Sequence, residues 1–310
     1  MTLRQATGGA AGLVLGALLL WLLLRGASVS HWLDALAGVP PMLWIVATLG
    51  LLASYALRAL RLFVEWQPQV RGIRFADCLR LMLLHNAAVN IVPMRAGEAG
   101  YAWIVHRQWG VPLADAVASL LWLRLQDVAI LAAFVIAWLL PLSATTGAAL
   151  ALAALAVYAL ASPHLGTLLA IVPWRPLQRV GEYAQRPGQQ AWRQPASLLC
   201  ALANWTVKLA VLGALLAALA GLPLVDSLRG SLGGELAAVL PVQGPAGLGT
   251  YEAGVWGGVA LRAPATSLGH VGAAALAVHL LGLVVGLVAA LVAQLATRSW
   301  PPATRTAHPQ

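Results

Sequence analysis

The chain has 310 residues, of which 60% are hydrophobic and 9% are charged. Its mean hydropathy of +0.80 excludes the soluble globular class and indicates a polytopic membrane protein. The formal net charge of +9 does not indicate nucleic-acid binding, because the basic residues are scattered through short gaps between apolar runs. Membrane topology and anionic lipid headgroups explain this charge better.

Six apolar runs are long enough to cross about 30 Å of hydrocarbon. In chain order they are residues 8–25, 41–60, 112–140, 146–163, 196–220 and 270–296. The first run could imitate a signal peptide, but we expect an uncleaved span because the topology requires it. Cys78 and Cys200 lie within apolar runs and lack metal-ligand spacing, so we expect free thiols, no metal site and no cofactor.

Two further apolar segments, residues 76–93 and 230–262, are interrupted in the same way. Each contains or leads into a proline, a glycine-rich break, a glutamate and an apolar restart. The first leads into Pro93-Met94-Arg95-Ala96-Gly97-Glu98. The second continues from Pro241 through Gly247-Leu248-Gly249 to Glu252. Backbone polar groups at membrane depth are tolerated only where protein or a watery cavity satisfies them. Paired breaks therefore point to a transport site.

The arginines indicate how these two segments lie in the membrane. If both crossed it, the basic residues 164–195 would face the opposite side from the loop that holds Arg71 and Arg74, against the positive-inside rule. If both are re-entrant hairpins, most arginines lie in the cytoplasm. Each half of the chain then has the order span, span, hairpin, span, in opposite orientations. This is an inverted-topology repeat, with the hairpins expected to meet near the midplane.

The sequence therefore predicts an all-α polytopic membrane protein with about six full spans and two re-entrant helical hairpins. We expect residues 1–297 to form one transmembrane domain, with inverted repeats at roughly 8–140 and 146–296 and an interfacial linker at 164–195. Residues 298–310 are expected to be a disordered cytoplasmic tail. The predicted location is a bacterial inner membrane, with both termini in the cytoplasm.

Several short elements resemble the transmembrane region of lysylphosphatidylglycerol synthases, a superfamily of flippase-like proteins. They are Arg58-Ala59-Leu60-Arg61, Asn90 with Pro93 to Glu98, Gly110-Val111, Arg124-Leu125-Gln126-Asp127, and Pro241 through Gly249 to Glu252. One departure is Leu123, which stands where the family often has an acidic residue. The resemblance implies a lipid-handling membrane protein. We expect a stand-alone member without aminoacyl transfer, because the sequence has no counterpart of the soluble synthase domain.

Arg95 and Glu98 stand three residues apart at a predicted helix restart, so their side chains can share one face. A helix N-terminus at this point offers N–H groups and a positive dipole end to a phosphate. One interpretation is that Arg95 binds a lipid phosphate while Glu98 orients it or meets a cationic headgroup; the other is an ion pair that holds the hairpin. Asn90 is expected to form hydrogen bonds across the first hairpin with Asn86.

Arg124 and Asp127 have the same spacing within a long span. We interpret them as a buried pair that neutralises itself or ties this span to the first hairpin, with substrate contact as the alternative. Arg58 and Arg61 end a span. They are expected to fix topology or to recruit an anionic headgroup.

Lys208 falls near the middle of a span, so it is expected to contact Glu235, Glu252 or a ligand. Glu252 begins an apolar restart, where it either complements a helix N-terminus or couples transport to protons. Glu235 lies inside the second predicted hairpin, where no helix start explains its charge. We expect the three isolated histidines, His85, His270 and His279, to be core imidazoles.

The leading hypothesis is a lipid translocator rather than an enzyme. An anionic phospholipid or a polyprenyl-phosphate-type lipid would pass its headgroup through a cavity between the two hairpins. The alternatives are a lipid-modifying membrane enzyme, a small-solute transporter and an accessory subunit of a lipid synthase. The ten acids are spread singly along the chain, which disfavours the enzyme. The glycine-rich faces also permit a homo-oligomer.

Overall fold

The computed structural model describes residues 17–18, 21, 29–91, 97–185, 193–240, 243–263 and 268–296. These residues form helices joined by turns and contain no β-strand. The helices of this described part, in chain order, are α1 Val29–Gly38, α2 Pro41–Trp66, α3 Phe75–Ile91, α4 Glu98–Trp109, α5 Leu113–Phe134, α6 Ala144–Ile171, α7 Arg175–Ala184, α8 Arg193–Ala220, α9 Leu224–Ala237, α10 Thr250–Ala260 and α11 Leu268–Ala296. Helix α5 continues as a π-helical turn over Val135–Leu139, and a 3₁₀ turn lies at Pro245–Gly247.

Within the described part of the chain, five helices are long and apolar enough to cross a membrane. They are Pro41–Trp66, Leu113–Leu139, Ala144–Ile171, Pro195–Ala220 and Val271–Ala296. Each corresponds to one of the predicted runs, because an apolar stretch of bilayer length must form its backbone hydrogen bonds internally. The predicted run at 8–25 lies almost wholly outside the described residues. The chain is thus a multi-pass helical membrane protein.

Helix α6 differs from its predicted limits. Residues 146–163 were expected to span and 164–195 to form a linker, but the helix continues through Pro163 to Ile171. The expected linker consequently contains the last turns of α6 and all of α7. A Cβ at Gly181 of α7 would come within 2.5 Å of the Gly166 carbonyl oxygen of α6, so the two helices pack backbone against backbone.

The chain forms two compact units. Unit 1 contains Met1–Ala53, Asn86–Gly97 and Thr206–Ala289, and unit 2 contains Ser54–His85, Glu98–Trp205 and Ala290–Gln310. Of the described residues that flank the first predicted break, 86–91 and Gly97 fall in unit 1 and Glu98 falls in unit 2, whereas residues 243–252 at the second break all fall in unit 1.

The core of unit 2 is built around Trp66 of α2. Its indole N–H donates to the Tyr101 hydroxyl at 2.9 Å, and its ring packs against Trp109 at 6.0 Å and Tyr183 at 6.2 Å between centroids. The Tyr183 hydroxyl donates to the Glu65 carboxylate at 2.5 Å. Burial, together with the Glu65 charge, raises the pKa of the Tyr183 phenol well above its usual value, so this hydroxyl remains a donor at neutral pH.

In unit 1, α9 and α10 pack as an antiparallel pair with almost no side chain between them. A Cβ at Gly233 would collide with the carbonyl oxygen of Gly254, and a Cβ at Gly258 would collide with that of Arg229. Small residues allow backbones to approach closely in a membrane. The glycines of the predicted second hairpin therefore bring α9 and α10 together.

Candidate functional site

Unit 2 holds a group of charged side chains that we name the arginine cluster. Its members are Arg58, Arg61, His85, Glu98, Arg124 and Asp127. They come from four helices, because α2, α3, α4 and α5 each contribute at least one of them. The i,i+3 spacing within α2 and within α5 places two charged side chains on one face of each helix.

Arg61 is fixed by partners on neighbouring helices. Its guanidinium donates to the Asp127 carboxylate at 2.7 Å, to the Leu123 carbonyl oxygen at 2.6 Å and to the Gln126 side-chain oxygen at 2.7 Å. Ser197 of α8 donates to the same Gln126 oxygen at 2.8 Å. The Arg61 side chain is only 6% exposed. A buried arginine with its donors used in this way holds helices together.

Arg124 is held less completely. Its Nη2 lies 2.6 Å from Glu98 Oε1, while its Nη1 lies 3.5 Å from Asp127 Oδ2. The other Glu98 oxygen lies 3.7 Å from His85 Nε2. The Arg124 side chain is 31% exposed. Glu98 lies at the start of α4. Its salt bridge with Arg124 therefore ties the long span α5 to the helix that follows the first break.

A cavity of about 30 Å³ lies beside these side chains, which gives room for about two water molecules. Its lining residues are Arg58, Arg61, Leu62, Met82, His85, Tyr101, Leu120, Leu123, Arg124 and Asp127. Three arginines and one carboxylate thus face the same space. Glu98, which forms a salt bridge with Arg124, reduces the net charge of the cluster to plus one. A desolvated cationic excess of this kind favours an anion.

Unit 1 holds a second group, which we name the glutamate cluster. Its members are Lys208, Glu235, Tyr251, Glu252 and His279. Lys208 Nζ on α8 lies 2.6 Å from Glu235 Oε2 on α9, and Glu235 is 7% exposed. The ammonium and the carboxylate neutralise each other, so this pair carries no net charge.

Glu252 uses both of its oxygens although its side chain is fully buried. Oε2 accepts the backbone N–H of Gly249 at 2.6 Å, which closes the first turn of α10. Oε1 lies 2.7 Å from Nδ1 of His279 on α11. Glycine is required at position 249 because its φ is +81°. The carboxylate therefore joins the second break to a spanning helix.

His279 also contacts the break through its ring. Its centroid lies 4.4 Å from that of Tyr251. A Cβ at Gly247 would lie 3.3 Å from Cε1 and 3.6 Å from Nε2 of His279, so this edge of the imidazole faces the break. Gly247 has a φ of +79°.

The structure divides the predicted site residues between the two clusters. Unit 2 contains Arg58, Arg61, Glu98, Arg124 and Asp127, and unit 1 contains Lys208, Glu235 and Glu252. Asn90 lies half-buried in the last turn of α3. Arg95 lies outside the described residues, as do Pro93 and Pro241 and the side chain of His270.

Sequence reasoning did not assign the two histidines to the clusters. His85 and His279 are largely buried, as expected of core imidazoles, and each also lies beside the glutamate that follows a break. A histidine inside an otherwise apolar segment was the available signal, since such a residue requires a polar partner. Gln126 and Ser197, which complete the Arg61 contacts, gave no comparable signal.

Within the part of the chain that the structure describes, no three His, Cys, Asp or Glu side chains come together in a way that could hold a metal ion. The chain matches the family described as the lysylphosphatidylglycerol synthase TM region over residues 9–292. No curated protein sequence matches the chain.

Proposed function

The chain belongs to the family of the lysylphosphatidylglycerol synthase TM region, and we propose that it is a translocator that moves an anionic or phosphate-bearing lipid headgroup between the leaflets of a bacterial inner membrane. The observation that carries the proposal is the arginine cluster, in which three arginines and one carboxylate line one cavity. Charged side chains are costly at membrane depth and are kept there for ion or substrate pathways.

The arginines have different roles in this proposal. Arg61 has its donors committed to Asp127, Gln126 and the Leu123 carbonyl, so it maintains the site. Arg124 is the exchangeable arginine, because its side chain is 31% exposed and its main partner is a single carboxylate. A guanidinium binds a phosphate with two parallel hydrogen bonds, which makes arginine well suited to this cargo.

Glu98 acts as an internal substitute for the cargo. Its carboxylate occupies Arg124 at 2.6 Å, and the adjoining cavity of about 30 Å³ has room for about two water molecules. Entry of a headgroup therefore requires the phosphate to replace Glu98 on Arg124. Because Glu98 lies in the first turn of α4, its release frees the helix that follows the first break. Cargo binding and movement of this segment are coupled in this way.

The same proposal includes re-entrant hairpins, an inverted repeat and cytoplasmic termini. The close glycine packing of α9 and α10 supports a hairpin at the second break. Rocking of near-equivalent repeats would expose the headgroup site to each side in turn.

The test is the transbilayer exchange of a headgroup-labelled phosphatidylglycerol in reconstituted vesicles. We expect the wild-type protein to accelerate exchange, and Arg124→Gln to slow it by about tenfold or more, because a charge-assisted contact contributes about 1.5–3 kcal/mol. Arg124→Lys should retain part of the rate. Arg74→Gln is the matched control, since Arg74 also pairs with an acid three residues away but is exposed.

Three results would contradict the proposal. One is exchange that Arg124→Gln leaves unchanged. Another is equal protein-dependent exchange of a lipid with an uncharged polar headgroup, such as a glycosyl diacylglycerol, which would remove the need for an anion site. Chemical conversion of the labelled lipid would instead indicate an enzyme. The double variant Glu98→Gln, Arg124→Gln shows whether a rate loss comes from an unpaired Glu98, because it removes both charges.

A further inference from the structure

The glutamate cluster contains one carboxylate that pairs with no lysine or arginine of the described residues. Its two carboxylates are Glu235 and Glu252, and Lys208 neutralises Glu235 at 2.6 Å. The nearby Asp226 and Arg229 of α9 form their own pair at 2.6 Å. These pairs leave the charge of Glu252, which is fully buried. The Gly249 N–H stabilises it by a hydrogen bond but carries no charge.

His279 is the group that can balance this charge. Nδ1 lies 2.7 Å from Glu252 Oε1, so one hydrogen already lies between the imidazole and the carboxylate. The second ring nitrogen, Nε2, lies on the edge that faces Gly247. A second proton, bound at Nε2, converts the pair from a net charge of minus one to neutrality. Histidine exchanges such a proton in the physiological pH range.

We propose that His279 and Glu252 bind one proton as the coupling ion of transport, with Nε2 of His279 as the atom that takes it up. This inference rests on the proposed lipid translocation. The His279 side chain is 12% exposed, so the protein does not fully enclose the ring. Among the described residues, the other titratable groups that face the pair are Tyr251 on α10 and, next to Tyr251, the neutral Lys208–Glu235 pair on α8 and α9.

Proton binding is linked to the conformation of the second break. With the proton bound, a neutral ion pair joins α11 to the start of α10 and can stay in a dry environment. Without it, one buried negative charge remains, and such a charge favours a state in which water reaches the break. A group whose proton occupancy differs between two conformations couples the proton gradient to the conformational change.

The test imposes a pH gradient of one unit on vesicles that contain the wild-type protein and headgroup-labelled phosphatidylglycerol. For one proton per lipid, one pH unit supports a difference of about tenfold between the leaflets, since it is worth about 1.4 kcal/mol per proton. We expect the wild-type protein to approach this asymmetry. His279→Gln should give equal leaflets, because glutamine carries no titrating nitrogen. His164→Gln, the same change at an exposed histidine of α6, should behave as the wild type does.

The outcomes separate this inference from the proposed function. If the wild-type protein exchanges lipid at equal pH but gives equal leaflets under the gradient, translocation stands and proton coupling is overturned. If His279→Gln still builds up the asymmetry, His279 is not the proton site. If the wild-type protein exchanges no lipid at all, the proposed function fails, and the proton site is then decided by a measurement that needs no transport.

That measurement is amide hydrogen exchange of residues 243–249 in lipid nanodiscs at mildly acidic and mildly alkaline pH, corrected for the intrinsic pH dependence of exchange. We expect the protection of this segment in the wild-type protein to fall by about tenfold as the proton leaves. His279→Gln and Glu252→Gln should both remove this dependence. Glu252→Gln can still accept the Gly249 N–H, so it tests the proton with the turn preserved. A pH dependence that survives in both variants would overturn the proton site.

Discussion

The arginine cluster and the glutamate cluster are built on a similar plan but carry opposite charge. In each, a glutamate in the first turn after a break lies near a histidine: Glu98 is 3.7 Å from His85, and Glu252 is 2.7 Å from His279. Three arginines against two carboxylates leave the first cluster with one positive charge. One lysine against two carboxylates leaves the second with one negative charge before its histidine is protonated.

This difference determines what each cluster can bind. In the arginine cluster a guanidinium neutralises the glutamate, since Arg124 lies 2.6 Å from Glu98, and the remaining positive charge suits an anion. In the glutamate cluster the described partner of Glu252 is a histidine, and a proton is the ion that we propose to balance the charge. The cation beside the glutamate, rather than the glutamate itself, therefore distinguishes the arginine cluster from the glutamate cluster.

The largest expected effect comes from breaking the arginine cluster at its most buried arginine. Arg61→Ala leaves Asp127 without its closest cation and removes one of the donors to the Gln126 side-chain oxygen, so we expect the free energy of unfolding to fall by about 3–5 kcal/mol. Thermal unfolding in detergent measures the loss. Arg74→Ala, at an exposed pair, should change stability by less than about 1 kcal/mol. Equal effects of the two variants would show that the Arg61 contacts do not hold the helices.

A smaller effect is expected from the corresponding pair of the glutamate cluster. Lys208→Met leaves Glu235 buried without a cation, and we expect a loss of about 2–3 kcal/mol, less than for Arg61 because the lysine is more exposed. Adding Glu235→Gln should recover much of this loss. A double-mutant cycle with thermal unfolding gives the coupling energy. Additive losses would mean that the two side chains do not interact.

The smallest effect concerns the packing that builds the glutamate cluster. Gly258→Ala places a Cβ against the Arg229 carbonyl, so α9 and α10 must separate, at a cost of roughly 1–3 kcal/mol. The adjacent Gly257→Ala is the matched control, because a Cβ there meets nothing within 4 Å. It should be neutral or slightly stabilising. A control as destabilising as Gly258→Ala would argue against the tight packing.

Much of the fold could be predicted because the bilayer imposes a simple length rule. Five predicted runs correspond to the five helices that can cross a membrane. The end of α6 was less predictable. The predicted run ended at residue 163, but the helix continues through Pro163 to Ile171, and its last turns pack on α7 through Gly166 and Gly181. A proline ends a helix only when tertiary contacts do not compensate for the missing hydrogen bond.

The sequence identified the charged residues of both clusters because charge within an apolar chain is conspicuous. It left their partners open. Lys208 had Glu235, Glu252 or a ligand as candidates, and the tertiary structure selects Glu235. Arg124 was expected to pair with Asp127 or with the first hairpin. It lies 2.6 Å from Glu98, and Arg61 lies nearest to Asp127 at 2.7 Å.

By itself, the sequence determined that this is a multi-pass helical membrane protein and where its spans and breaks lie, because hydrophobic run length and local turn chemistry act between residues close in the chain. It also indicated that Glu252 could stabilise the start of its helix, a contact between residues three apart. Only the tertiary structure decided that Glu98 meets Arg124 and that Glu252 meets His279. These residues are 26 and 27 positions apart, and helix packing rather than local spacing brings them together.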